Sequence, residues 1–327
     1  MISPAAAQAR HGARGRDPRP DPGPRLETSY RPRHTLDLVA TLSGFQRGAG
    51  DPAQTADRGV IWRATRTPAG VACTALRQSA DGTVRAAAWG PGRQWAIAQV
   101  PALCGARDDD TGFAPSLHPV VSQAHHRHPG ARLGRSDLVF DALAQSITEQ
   151  KVTLRQAFGA WRSLVTWFGE RAPGPAPRPL FAPPAVDGWR RIPSWAWHRA
   201  GLEPPQSRAI VEAARRGAAL VRAVESAVDG DARDRPLTSI RGIGVWTAAE
   251  TRIRALGDPD AVSVGDVHLA HRVGYTLTGH RTDDDGMLEL LEPWRGHRQR
   301  VIRLLLASGA GEPRRGPRVH IEDHRAR

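Results

Sequence analysis

One string constrains this chain more than any other: Leu237-Thr238-Ser239-Ile240-Arg241-Gly242-Ile243-Gly244-Val245-Trp246-Thr247-Ala248. Two glycines flank a single aliphatic residue between two short runs whose apolar residues recur at helical spacing. Glycine accepts the backbone angles of a tight reversal and lets another molecule approach the turn closely. Leu237, Ile240, Ile243 and Trp246 fall where two short helices would pack together. The first N–H groups of the second helix have no partner inside it and point outward, where a phosphate oxygen can accept them. Gly242, Ile243, Gly244 and Thr247 are the candidate contacts. An ordinary αα-hairpin would explain an isolated Gly-Ile-Gly; the full string in basic surroundings favours an anion clamp.

Those surroundings are basic overall, with 46 Lys and Arg against 33 Asp and Glu and a net charge of +13. Such a balance suits a polyanionic partner. Lys151 is the only lysine, so the bias is an arginine bias, of the kind a GC-rich genome also produces. The chain has 327 residues, 40% of them apolar, enough for one large domain or two modest ones. Cys73 and Cys104 are the only cysteines; they make no zinc pattern and are too few for a four-thiolate iron–sulfur cluster. They read as reduced, buried small residues. No apolar run approaches the roughly 18 residues of a membrane span, and the N-terminus lacks a secretion signal. The expectation is a soluble, cytoplasmic protein with no metal or cofactor.

The chain divides by pattern. Residues 1–33 are rich in Pro, Gly and Arg and read as a disordered basic arm; 309–327 read as a flexible basic tail. Residues 34–115 hold short β-like runs at 36–42, 60–65, 71–76 and 83–89, the last two pairing as a hairpin around 78–82. Residues 116–308 have helical spacing. Ser136 or Asp137 should cap a helix with Leu138, Phe140, Leu143, Ile147 and Val152 near one face. A second helix runs through 161–168 to Gly169, and a proline-rich loop covers 173–184. Further helices are expected over 186–191, 205–224, 245–256, 267–277 and 297–307. The fold class is α+β: an N-terminal antiparallel β-sheet domain followed by an all-α body.

Several strings now add to the hairpin. Gly265-Asp266 follows it by about 20 residues, and Ile147-Thr148-Glu149-Gln150-Lys151-Val152-Thr153 precedes it. Val100-Pro101-Ala102-Leu103, Pro129-Gly130-Ala131-Arg132-Leu133 and Pro293-Trp294-Arg295-Gly296-His297-Arg298 flank them. Together they resemble the helix-hairpin-helix/GPD superfamily of base-excision DNA glycosylases over roughly residues 35–308. Within it, the chain is most similar to the alkylation-repair branch, the DNA-3-methyladenine glycosylase II type. The resemblance implies double-stranded DNA with damaged bases as partner, a monomer, a nucleoid location and no iron–sulfur cluster.

It also implies roles. Asp266 precedes the apolar-periodic stretch from Val267 and can cap that helix, whose N-terminal potential favours an anion. In the family this is the essential carboxylate, placed to stabilise a sugar cation as the N-glycosidic bond breaks. Members that also cut the backbone carry a Schiff-base lysine where this chain has Trp246, so hydrolysis without strand cleavage is expected. Base-pocket positions fall on Trp246, Glu250, Val267 and Leu306, only the first of them aromatic. Glu250 would either face the pocket or lie on the surface paired with Arg254. Gln150 and Lys151 occupy the turn that fills the gap left by a flipped base; Lys151 reads as a gap filler or phosphate contact, an amine nucleophile, or a plain surface lysine.

The remaining features read more simply. Arg298 and Arg295 are candidate phosphate contacts. His125-His126-Arg127-His128 reads as solvated linker surface, Asp283-Asp284-Asp285 as a helix cap, and Trp189, Trp195 and Trp197 as core. Two other functions fit the strings: excision of a bulky, deaminated or oxidised base, and non-catalytic DNA binding through the hairpin alone.

Overall fold

The computed structural model describes residues 23–312; the expected basic arm up to 22 and the tail from 313 lie outside the described residues. The first unit comprises β1 (Arg25–Tyr30), α1 (Leu38–Ser43), β2 (Gln54–Asp57), β3 (Val60–Thr67), β4 (Gly70–Gln78), β5 (Val84–Trp89), α2 (Arg93–Ala98) and α3 (Val100–Leu103). There follow α4 (Pro119–Arg127), α5 (Val139–Thr148), α6 (Leu154–Phe168), the short strands β6 (Glu170–Arg171) and β7 (Phe181–Ala182), α7 (Val186–Arg191) and α8 (Ser194–Ala200). The chain continues with α9 (Pro204–Ser226), α10 (Gly230–Thr238), α11 (Val245–Leu256), α12 (Leu269–Thr278), α13 (Asp284–Leu291) and α14 (Arg298–Ala307). Among the described residues no helix is long and apolar enough to cross a membrane.

The five-stranded sheet is antiparallel, in the order β1-β5-β4-β3-β2. The β4–β5 hairpin forms where the sequence placed it, with Gln78 opposite Val84 and Gly82 at φ +83 closing the turn. Two local readings are corrected. Residues 25–30, assigned to the arm, form edge strand β1 against β5. Their apolar content is low, and pairing with a buried neighbour, not their own pattern, orders them. The run 36–42 is largely helix α1, not strand: Asp37 Oδ1 accepts the N–H of Ala40 at 2.9 Å, and Leu38, Thr41 and Leu42 then turn inward together. Leu38 and Leu42 pack with Ile61, Leu76 and Val84 in the sheet unit's core.

In the helical body, α5 starts at Val139 without a side-chain cap, because Asp137 sits at φ +52 and pairs with Arg135 at 2.5 Å. The helix ends at Thr148, so Val152 is not part of its face. A ladder of tryptophans fills the body: Trp161 stacks on Trp189 at 6.0 Å and Trp189 on Trp197 at 5.9 Å. Trp195, expected in the core, is 59% exposed. Helix α9 runs longer than expected and breaks at Gly217, at φ +44. The histidine run lies at the end of α4, not on a linker; α4 packs with α12, α13 and α14 through Val121, Val273, Met287 and Val301. Cys73 and Cys104 are both free and buried, and burial pushes each thiol up to about 12.

A cavity separates the sheet from α5, lined by Phe45, Gln54 and Arg63 on one side and Asp141 and Gln145 on the other. Burial pushes the Asp141 carboxyl up to about 7, with Arg66 opposing. The folded protein therefore keeps a proton there that the unfolded chain loses above about pH 4. Stability from this group is complete at low pH and declines as pH rises toward 7. Asp141→Asn should gain thermal stability over the parent between about pH 5 and about pH 8. Melting curves at the two pH values check this; an unchanging difference would refute it.

Candidate active site

The hairpin joins α10 to α11. Leu237, Ile240 and Ile243 are buried in the core of the helical body, as their spacing requires. Gly242 sits at φ +91, in a region that L side chains rarely adopt. Gly244 has ordinary angles, and a Cβ there would meet nothing within 4 Å. It is the N-cap of α11 and offers no side-chain oxygen, so the first N–H groups of the helix are left to a ligand or water. Arg241, Gly242, Gly244 and Val245 are exposed around this end. Thr247 and Ile243 are both buried, and the Thr247 hydroxyl accepts Gln150, so neither side chain is offered to a ligand.

Gln150 braces the hairpin from the side. Its amide donates to the Gly242 carbonyl at 2.9 Å and to Thr247 Oγ1 at 2.8 Å, while Gln206 donates to its main-chain oxygen at 3.0 Å. Lys151 follows, exposed and at φ +54. A non-glycine residue in this conformation costs energy that its surroundings must impose. Here Gln150 before it and the capping box of Thr153 and Gln156 after it supply that constraint.

The carboxylate meets the hairpin on α11. Trp246 Nε1 donates to Asp266 Oδ2 at 3.2 Å. The other oxygen, Oδ1, accepts the N–H groups of His268 at 2.9 Å and Leu269 at 3.0 Å. Asp266 is not the N-cap expected of it: α12 begins two residues later than its periodicity suggested, His268 is the N-cap, and Asp266 binds the N–H groups of that residue and the next from just outside the helix. Gly265, at φ +87, gives its N–H to Asp284 Oδ2 at 3.0 Å, while Asp283 caps α13 as the aspartate run implied. The half-buried Asp266 carboxylate is therefore held from both sides by hydrogen-bond donors.

The other expected pocket residues divide. Glu250 is neither free nor on the surface: Oε2 lies 2.7 Å from Arg254 Nη2, and Oε1 accepts the Ser263 hydroxyl at 2.5 Å. Val267 is 78% exposed beside Asp266. Leu306 is part-exposed on α14, and its carbonyl accepts Arg272 at 3.2 Å, which ties α14 to α12. Arg298 does not stand free as a phosphate contact: it grips Asp260 at 2.8 and 2.5 Å, and an anion would compete with that carboxylate. Arg295 is likewise paired, with Glu292 at 2.7 and 2.8 Å. Sequence reasoning missed Ser263, Glu149 and Asp284 as members of the site; no short-range pattern marks the first two.

No protein-family profile and no curated protein sequence matches the chain. Solved structures do. A 3-methyladenine DNA glycosylase from Archaeoglobus fulgidus superposes with a TM-score of 0.73 at 17% identity, over 86% of this chain and 98% of that one. This chain has the helix-hairpin-helix glycosylase fold. MBOgg1 in complex with a low-affinity DNA ligand superposes at 0.69 and 14% identity, over 86% and 95% of the two chains. The apo 8-oxoguanine glycosylase/lyase from Clostridium acetobutylicum does so at 0.68 and 11%, over 86% and 96%. In this glycosylase fold the sheet unit and the helical body are both matched, since the shared region exceeds either alone.

The two hairpin glycines should behave differently. Gly242→Ala is expected to lower stability by about 1–3 kcal/mol, because alanine is strained at φ +91. Gly244→Ala should cost less than about 1 kcal/mol, the difference between glycine and alanine at an N-cap. Denaturant unfolding of both variants checks the order; equal losses would contradict it.

Proposed function

We propose that the protein is a monofunctional DNA glycosylase that hydrolyses the N-glycosidic bond of alkylated purines, of the 3-methyladenine type, in double-stranded DNA. The observation that carries this reading is the Asp266 carboxylate, fixed by Trp246 and the start of α12 beside the glycine hairpin. The hairpin N–H groups would hold a backbone phosphate, and the target nucleotide would turn out of the duplex toward Asp266. As the bond to the base breaks, positive charge grows on the sugar, and a fixed carboxylate stabilises it. Water completes the reaction and leaves an abasic site. Trp246 occupies the position where strand-cutting members carry an amine, and an indole forms no Schiff base. We read the exposed surface of Arg241, Lys151, Arg155 and Arg208 as further phosphate-facing charge.

A second lesion class is favoured by one observation: Glu250, Val267 and Leu306 leave Trp246 as the only aromatic among the expected pocket positions. Stacking of a cationic purine on several rings is then reduced, and an oxidised or deaminated base becomes a competing substrate for the same carboxylate.

A duplex carrying N-alkylated purines, incubated with the protein and then treated with alkali, should show breaks at the lesions, and without alkali none. Asp266→Asn should reduce the rate by about a hundredfold or more. Breaks without alkali would contradict the monofunctional reading, and equal rates for parent and variant would remove Asp266 from the chemistry. Gly244→Ala, whose Cβ points into open space, should weaken duplex binding despite a small effect on stability.

A further inference from the structure

Ser263 joins two parts of the site. Its hydroxyl donates to Glu250 Oε1 at 2.5 Å, and its carbonyl accepts the main-chain N–H of Asp266 at 3.3 Å. Beyond Glu250 the contacts continue. Arg254 Nη2 lies 2.7 Å from Glu250 Oε2 and 2.6 Å from Glu149 Oε2, while its Nη1 donates to Ser146 at 2.6 Å. Glu149 Oε1 lies 3.3 Å from Arg47 Nε, an ion pair without hydrogen-bond geometry. Arg47 then donates to the Gly44 carbonyl at 2.9 Å and, through its main chain, to Asp51 at 2.7 Å. Ser263, Arg254 and Arg47 are buried, and the Glu149 side chain is 5% exposed. Charges alternate along this line from the loop between α1 and β2 to the turn that bears Asp266.

Removing so many charges from water is costly, and buried ion pairs are often no more stabilising than apolar residues of the same volume. Directional bonds, unlike apolar packing, fix where each partner sits. Helix α11 holds the 263–266 turn at two points one helical turn apart: Trp246 on the carboxylate and Glu250 on the turn's first residue.

We propose that Glu250 is a positioning residue for the reaction: by holding Ser263 it sets the turn that aims Asp266, and Arg254 anchors that setting to Ser146 and Glu149 at α5, with Arg47 as a charge partner behind them. The proposal rests on Asp266 being the reacting carboxylate. Both Glu250 oxygens are engaged within the protein, so its work is done on the turn and not on the base. Loss of the Ser263 bond lets the turn drift, and the Trp246–Asp266 bond loosens with it. Displacement of a reacting group by about 1 Å is enough to cost up to about a hundredfold in rate.

The test uses the full chain with Ser263→Ala, which removes one hydroxyl and leaves the ion pairs intact, and with Glu250→Gln, which keeps an acceptor for Ser263. The indole N–H of Trp246, assigned in a ¹H–¹⁵N spectrum with Trp246→Phe, reports the geometry without any substrate. Ser263→Ala should shift that resonance and speed its exchange with solvent. Its single-turnover rate on lesion DNA should fall by about tenfold to a hundredfold, with affinity for an abasic-analogue duplex retained. Glu250→Gln should fall between the parent and Ser263→Ala, and surface variant Arg190→Ala should match the parent. An unmoved indole resonance in Ser263→Ala overturns the proposal. So does a Glu250→Gln protein with altered lesion preference and an unmoved resonance, which would make Glu250 a base contact. A parent protein that excises no lesion defeats the glycosylase reading instead, while the resonance still reports on the turn.

Discussion

Asp266 receives three hydrogen bonds from two directions, and the rest of the site is arranged around that fact. The N–H groups of His268 and Leu269 come from the start of α12, and the Trp246 indole comes from the helix that follows the hairpin. The two main-chain bonds alone would fix one oxygen and leave the carboxylate free to pivot. The indole removes that freedom and couples the carboxylate to α11, whose N-terminus is exposed at the hairpin. Under the proposed function, hairpin and carboxylate then keep the separation that a reaction on one nucleotide of a long polymer requires.

Everything around α11 supports this coupling. Its buried face, Ala248, Ala249 and Ala255, allows close packing against α5, and Gln150 ties the end of α5 to the hairpin turn. Gly257, at φ +60, ends the helix. The tryptophan ladder of Trp161, Trp189 and Trp197 gives the body a rigid interior behind it. The sheet unit contributes from a distance, through Arg47 and through Asp108, which is buried between Arg132 and Arg300 at 3.1 and 2.6 Å.

The features legible in the sequence are those whose causes are local. Helix α11 begins and ends where Gly244 and Gly257 put it, and the β4–β5 hairpin follows from Asp81-Gly82. Strand β1 was not legible because its order comes from pairing with β5, from Arg25 opposite Trp89 to Tyr30 opposite Val84, far along the chain. Helix α1 was misread although Asp37 carried its capping signal, because alternation of Leu36, Leu38 and apolar neighbours fits a strand as well. Glu149 and Ser263 have partners 105 and 13 residues distant, so only the fold reveals them. Arg298 shows the converse: its sequence setting suggests an anion contact, and tertiary structure supplies Asp260 instead.

In the proposed reaction a fixed Asp266 carboxylate stabilises positive charge on the sugar. Affinity for two duplexes measures it most directly, one with a neutral tetrahydrofuran abasic site and one with a cationic pyrrolidine ring in its place. Transition-state mimics gain where ground-state mimics do not, so the parent protein should bind the pyrrolidine duplex about a hundredfold or more tightly. Asp266→Asn should erase most of that preference. Equal affinity of the parent for the two duplexes would contradict the account.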